Sequence, residues 1–443
     1  MKKQDQNNAS RRDFVINSSL MAGGLMTAPL LSKANFFSGA EDTIKVAVVG
    51  CGGRGTGAAM QALSSKQNVK IVALCDAFKD NVDNCHKELT EEINNSIGEL
   101  AKRLDVPEER KFTGFDGYKK AIALADVVIL ATPPGFRPIH FEEAINQGKH
   151  VFMEKPVATD PAGVQKVLAT AAIAKQKKLN VVVGLQRHYQ NSYRELFKRK
   201  DLIGDITSMQ AWWDNDGVWT RPRKAGQTEM EYQMRNWYYF NWLCGDHITE
   251  QHIHNLDVIN WFKGGYPVKA QGFGGRQVRT SKEHGEIFDH HFVEFEYADG
   301  SILNSQCRHM PGTMSRVDEL LIGTKGRIAC GAAHIKDHSG KIIYQYDTKK
   351  ENNPYQTEHD ELFAAIAKGE YKFADAENGA KSTMTSILGR MATYSGQMVY
   401  WDKAIHSGID IHPKVYAWDA TPPVVPNADG SYPIAIPGIT KYS

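Results

Sequence analysis

The strongest constraint on the fold lies between Ile44 and Asp76, where the apolar run Ile44-Lys45-Val46-Ala47-Val48-Val49 leads directly into Gly50-Cys51-Gly52-Gly53-Arg54-Gly55. A strand that feeds a Gly-x-Gly-x-x-Gly turn must be followed by a helix whose N-terminus faces whatever the glycines admit. Gly50 permits the tight turn, and Gly52 lets backbone approach a pyrophosphate. Gly55 lets the helix from about Thr56 to Leu63 pack on the strand. The unpaired N–H groups of that helix then favour phosphate. A second apolar run, Val69 to Cys75, ends at Asp76. An acid placed there, about 20 residues after the last glycine, holds a ribose 2′-OH, which favours NAD over NADP.

The alternation of strand and helix continues to about residue 186. Asp126 to Ala131 reads as a buried strand ending in Thr132-Pro133-Pro134, followed by a helix from about Pro138 that stops at Gly148. His150 to Met153 is a short strand running into Glu154-Lys155-Pro156, and a helix from Pro161 to Gln176 leads to the strand Asn180 to Leu185. This order predicts an α/β, doubly wound parallel sheet with ligands at the carboxyl ends of its strands. Both proline motifs fall at such ends. Beyond about residue 190 the runs alternate in the antiparallel manner: Ile206–Trp213, Lys269–Phe273, Asp289–Tyr297, Ser301–Cys307 and Glu319–Gly323. They predict a C-terminal α+β domain with an open, mainly antiparallel sheet. Two later helices, Thr357–Lys368 and Ala380–Val399, are expected to pack back on the first domain, and the proline-rich stretch from Pro413 to Ser443 is expected to lie extended on the surface. The expected division is therefore 1–34, 42–186 and 187–443.

The segment 1–34 has a basic start, the motif Ser10-Arg11-Arg12-Asp13-Phe14-Val15, a diluted apolar run from Phe14 to Leu31, and small residues at Ser32-Lys33-Ala34. This is the pattern of a twin-arginine signal peptide and predicts export to the periplasm without a stable membrane span. The 53 Lys and Arg against 51 Asp and Glu leave a net charge of +2, which gives no reason to expect nucleic acid as a partner. Six cysteines show no metal-type spacing.

Taken together, the glycine loop, Thr132-Pro133-Pro134, His140, Gly148-Lys149-His150, Glu154-Lys155-Pro156, and His254-Asn255-Leu256-Asp257 with Trp261 resemble the glucose-fructose oxidoreductase, inositol dehydrogenase and rhizopine-catabolism family, Gfo/Idh/MocA. The resemblance covers nearly all of the chain after the signal. It implies a Lys155-Pro156 bond that is often cis and a homo-oligomer, dimer or tetramer, formed through the outer face of the open sheet. It also implies that Lys155 and His254 flank the reacting carbon beside the nicotinamide. The family's Asp-x-x-x-His-x-x-Asp helix is matched at His254 and Asp257, but Glu250 stands where aspartate is usual.

On one continuous helix His247, Glu250, His254 and Asp257 fall within a sector of about 80°. Hydride transfer from a secondary alcohol needs a base for the hydroxyl proton and a cation for the developing oxyanion, roles open to His254 and Lys155 in either order. Glu250 or Asp257 can orient the histidine. The expected catalytic set is Lys155, His254, Glu250 and Asp257. The expected cofactor set is Gly50, Gly52, Gly53, Arg54, Gly55, Asp76, Thr132, Pro133, His140, Glu154 and Lys155. The expected substrate set is Arg187, Tyr189, Trp213, His247 and His254. No metal is required by this chemistry, although His247 and Glu250 are the first candidates if one binds. The density of aromatic residues from Trp212 to Trp261 favours a carbohydrate substrate, since flat rings stack on sugars. The tract Trp213 to Asn236, with Arg221, Arg223, Lys224 and Arg235, is expected either to form a long loop over the site or to serve as a structural insertion or oligomer contact. Export also bears on function. Without a soluble cofactor pool the dinucleotide must stay bound, as in an NAD-dependent oxidoreductase with paired half-reactions or in a redox-neutral hydrolase or lyase that passes through a keto-sugar.

Overall fold

The computed structural model describes residues 43–95 and 100–441; the signal segment lies outside them. Six strands form the first sheet: β1 Ile44–Val49, β2 Val69–Asp76, β3 Lys111–Thr113, β4 Val127–Leu130, β5 His150–Met153 and β6 Val181–Val183. Their order is β3-β2-β1-β4-β5-β6 and every pairing is parallel. The order in which strands are added reverses between β1 and β4, so their carboxyl ends open a crevice there. β1 and β4 are buried almost throughout, as strands covered by helices on both faces must be.

The second sheet contains β7 Ile206–Asn215, β8 Lys269–Gly275, β9 His290–Glu296, β10 Ile302–His309, β11 Arg316–Gly323, β12 Gly326–Ala329, β13 His334–Asp337, β14 Ile342–Gln345 and β15 Val399–Tyr400. Its order is β14-β13-β12-β11-β7-β10-β9-β8-β15. All pairings are antiparallel except that of β7 with β10. The short strands β12 to β14 were not anticipated, because four polar-rich residues carry little period-two signal.

The helix Ala376–Ser395 joins the two sheets, and its Met384, Ile387 and Leu388 share one core with Val128 and Val183 of the first sheet and Val293 and Phe295 of the second. Thr383 accepts a hydrogen bond from Val157 N at 3.2 Å, just past the Lys155-Pro156 turn. The helix Pro354–Ala367 adds Leu362, Phe363 and Ile366 to the core on the other face of the first sheet. The C-terminal stretch is extended, but it does not merely lie on the surface. Tyr432 is buried, and Tyr416 and Trp418 pack against Phe115. Among the described residues no helix is long and apolar enough to cross a membrane.

Candidate active site

The helix Gly53–Leu63 begins at Gly52 without a side-chain cap, which leaves its first-turn N–H groups to a ligand. Gly50 has φ +101°, and a Cβ there would sit 2.4 Å from Ala131 C and Thr132 N. A Cβ on Gly55 would come within 1.8 Å of the Gly50 carbonyl, whereas one on Gly52 would meet no protein atom within 4 Å. Two glycines are thus required by the protein's own packing and the third faces open space, as a cradle for phosphate demands. At the end of β2 the Asp76 carboxylate accepts from Cys51 N at 2.8 Å, Phe78 N at 3.0 Å and Asn81 Nδ2 at 3.0 Å. Burial raises its pKa against these bonds. A cleft of about 570 Å³ runs along this edge, lined by Gly50, Gly52, Asp76, Thr132, Pro133 and His140 among others.

The Thr132-Pro133 turn is held by Arg137, which donates to Leu130 O at 2.6 Å and Thr132 O at 2.7 Å. Its guanidinium is fully buried, and burial lowers its pKa to about 10. No sequence signal had distinguished Arg137 from an ordinary helix residue. His140 hydrogen-bonds Thr132 Oγ1 at 3.2 Å and packs on Tyr118 with 4.2 Å between ring centroids. Burial pushes its pKa down to about 3, so it is neutral.

Lys155 follows β5 in a cis bond to Pro156. Its Nζ donates to Glu250 Oε1 at 3.0 Å and to Glu250 O at 2.7 Å. Glu250 is drawn above the usual carboxylate range by burial, against the opposing charge of Lys155, and its Oε2 is buried without a partner among the described residues. His254 lies under the Trp213 ring at 5.8 Å, nearly parallel. Burial first, and then the charges of Lys155 and Arg187, hold it far below the ordinary histidine pKa, and its Nδ1 has no partner among the described residues. The Lys155 cation is thus near enough to act on an imidazole that stays uncharged, and the imidazole's Nδ1 is buried without a partner among the described residues.

Comparison with known proteins agrees with this geometry. Residues 44–185 match the family model described as GFO_IDH_MocA, an oxidoreductase family with an NAD-binding Rossmann fold. That match spans the first sheet and is a likeness to an NAD-binding domain. An inositol 2-dehydrogenase of Gluconacetobacter diazotrophicus is 28% identical over 244 residues, 54% of this chain and 60% of the relative. A 2,7-anhydro-N-acetylneuraminate hydratase of Mediterraneibacter gnavus is 23% identical over 324 residues, 70% of this chain and 75% of the relative. The crystal structure of scyllo-inositol dehydrogenase from Lactobacillus casei with bound cofactor NAD(H) and scyllo-inositol superposes with a TM-score of 0.60 at 21% identity, covering 82% of this chain and 100% of that one. At that identity the likeness is one of fold. The residues of the cleft fit NAD: an open glycine turn, an uncapped helix and an acid at the end of β2.

Several residues expected at the site are committed elsewhere. Arg54 and Glu154, both expected to hold cofactor, form an ion pair with each other, and Arg54 also reaches Glu358 at 3.4 Å. Arg54 lines the cleft, but its charge is spent on buried acids. Asp257 does not orient His254. It accepts from Ser382 Oγ at 2.7 Å and Asn378 Nδ2 at 3.0 Å and pairs with His188 Nε2 at 2.7 Å. The single ionisable helix face does not form, because the helix breaks between His247–Glu250 and Ile253–Lys263, where His252 N reaches back five residues to His247 O. The break turns His254 and Asp257 together relative to His247 and Glu250, and Asp257 is taken up by His188, Asn378 and Ser382.

Three expected substrate residues are likewise engaged by neighbouring side chains. Arg187 is ion-paired with buried Glu319 and stacks on Tyr193. Tyr189 is buried and donates to Asp375 Oδ2 at 2.9 Å. His247 is fully buried, bonded through Nδ1 to Asp246 at 2.8 Å and stacked on His309 at 4.4 Å. As metal candidates His247 and Glu250 also part company, since Glu250 goes to Lys155. Asp246, His247 and His291 do bring ligand-type atoms within 4.8 Å. The Asp246 carboxylate is nevertheless engaged by His247 N and Nδ1, Phe288 N and Tyr394 OH. Of the aromatic tract, Tyr239, Phe240 and Trp242 are core, whereas Trp213 covers His254 and Trp219 and Trp237 line the cleft.

Proposed function

We propose that this is an exported NAD-dependent oxidoreductase acting on a secondary alcohol of a sugar, cyclitol or sugar derivative. The observation that carries the reading is the Lys155 ammonium, held by Glu250, beside a neutral His254 with an unpartnered Nδ1. NAD, when bound, supplies the hydride acceptor. Lys155 stabilises the negative charge that develops on the substrate oxygen, and His254 accepts the hydroxyl proton. Burial and neighbouring cations disfavour the charged imidazole, so the proton is readily given back. Trp213 offers a ring face for a sugar or cyclitol. The inositol dehydrogenases among the relatives support this substrate class. The twin-arginine pattern supports export of the folded protein with its dinucleotide aboard. Exposed Phe273 on β8 supports assembly through the second sheet as a dimer or tetramer.

A redox-neutral hydrolase or lyase is the second reading. It is favoured by Glu250, whose raised carboxyl and unpartnered Oε2 make it an additional acid or base, and by the hydratase among the relatives. Both readings are tested by releasing dinucleotide from the denatured native protein and offering the intact protein free cyclitols, sugars and glycosides. Net NADH formation from a free alcohol supports the dehydrogenase. Cleavage of a glycoside with bound NAD and no net reduction supports the redox-neutral cycle. Absence of any turnover across these classes would sink both.

A further inference from the structure

Beyond Asp76, at the end of the cleft where a Rossmann site receives the adenosine half of its dinucleotide, the wall is not made by the Rossmann domain alone. Trp219, Arg221, Met234, Arg235 and Trp237 line it from the other side. All five lie between β7 and the helix Asn241–Cys244, and all but Trp237 fall in the tract Trp213 to Asn236. Arg235 crosses the cleft: its Nη1 pairs with Asp80 Oδ2 at 2.7 Å, and its guanidinium lies 3.7 Å from the Phe78 ring centroid. The C-terminal stretch reaches the same place, with Trp418 5.0 Å from Phe78 and 4.6 Å from Phe115.

These two segments are tied to each other. Gln233 Nε2 donates to Val424 O at 2.7 Å, and Tyr432 OH hydrogen-bonds both Glu229 and Arg223. The tail is anchored on the first domain by His412, whose Nδ1 is 3.0 Å from Asp160 Oδ2, and by Ile411 N on the same oxygen at 2.8 Å. The clamp is therefore supported behind the cleft and closed across its mouth by the Arg235–Asp80 pair and the Phe78–Trp418 contact.

We propose that residues 216–237 and 410–432 form a two-segment clamp that keeps the dinucleotide as a resident, non-exchanging cofactor. Arg235 and Trp418 are its retaining residues. The inference rests on the cleft being the NAD site and deepens the reading of a cofactor carried through export. A dinucleotide leaving this cleft must part an ion pair and an aromatic contact, which slows dissociation more than association.

The test is exchange of bound dinucleotide against excess isotopically labelled NAD, followed by mass spectrometry on the desalted full chain. The wild type is expected to retain its original dinucleotide for hours. Arg235→Ala, Trp418→Ala and the milder Asp80→Asn are expected to exchange roughly tenfold faster or more, the Arg235 and Asp80 variants at unchanged Tm. Asp80 is more than half exposed, so its variant folds even if the Trp418 variant does not. Exchange in the wild type complete on mixing would overturn the clamp, as would equal rates in wild type and the folded variants. Alcohol oxidation by a rapidly exchanging wild type would also overturn it while leaving the roles of Lys155 and His254 intact.

Discussion

Lys155 Nζ is bound twice by Glu250, through the carboxylate at 3.0 Å and the main-chain carbonyl at 2.7 Å. The main-chain bond matters as much as the ionic one, because it survives when Glu250 is protonated. The amine is thereby aimed from the end of β5 toward the helix that bears His254, and only one of the two bonds depends on pH.

Removing the cation should remove the chemistry and leave the fold. Lys155→Met is expected to lower kcat by about 10²- to 10⁴-fold, the range for loss of one acid–base or oxyanion-stabilising group. The dinucleotide should still be found in the denatured protein at wild-type stoichiometry. Steady-state kinetics and released NAD check both halves, and loss of bound NAD in this variant would contradict the assignment.

The glycine loop separates packing from binding. Gly55→Ala places a methyl 1.8 Å from the Gly50 carbonyl and is expected to give little folded protein. Gly52→Ala meets no protein atom within 4 Å, so its thermal melting should match the wild type while NAD binding weakens by roughly tenfold or more, as backbone approach to pyrophosphate is blocked. Calorimetric titration of apoprotein distinguishes the two.

Asp257→Asn tests a structural assignment. The buried carboxylate has three partners, and its loss is expected to cost about 2–3 kcal/mol. The kcat of the folded enzyme should stay within a factor of about three, which corresponds to well under 1 kcal/mol. Burial pulls the His188 pKa down, but Asp257 more than offsets this, and the net shift is upward. A raised histidine stabilises fully below its unfolded pKa and loses that contribution as pH rises through the folded value. The Tm difference between wild type and variant is therefore expected to be larger at pH 6 than at pH 9.

Glu286 makes stability fall with rising pH as well, here through burial of an acid. Burial pushes its carboxyl up to about 7, against a hydrogen bond from Asn241 N at 2.8 Å. Between the usual carboxylate value and that pH the folded state holds the extra proton, so stability falls as pH rises through this window. Glu286→Gln is expected to raise stability at pH 8 by about 1–2 kcal/mol, with the gain vanishing toward pH 4. Paired melting curves at the two pH values decide it, and an equal Tm at pH 8 would remove the claim.

The sequence was most legible where structure is local. The strand, glycine turn, helix and acid from Ile44 to Asp76 lie within one contiguous stretch, and each residue type answers a steric or hydrogen-bonding need of its immediate neighbours. Lys155 could be read for a related reason, since the carboxyl end of a parallel strand is a defined place in such a sheet. What sequence reading missed was mostly pairing. Arg54 with Glu154, Arg187 with Glu319 and Lys155 with Glu250 are separated by 100, 132 and 95 positions, and no periodicity reaches that far.

The linear chain therefore determined the class of the first domain, the direction of its sheet and the chemical types gathered near its crevice. Only the tertiary structure decided which of those groups are free to act. Burying a charge requires a partner, and partners are allotted by three-dimensional proximity. Proximity gave Asp257 to His188 and Glu250 to Lys155, while burial kept His254 uncharged.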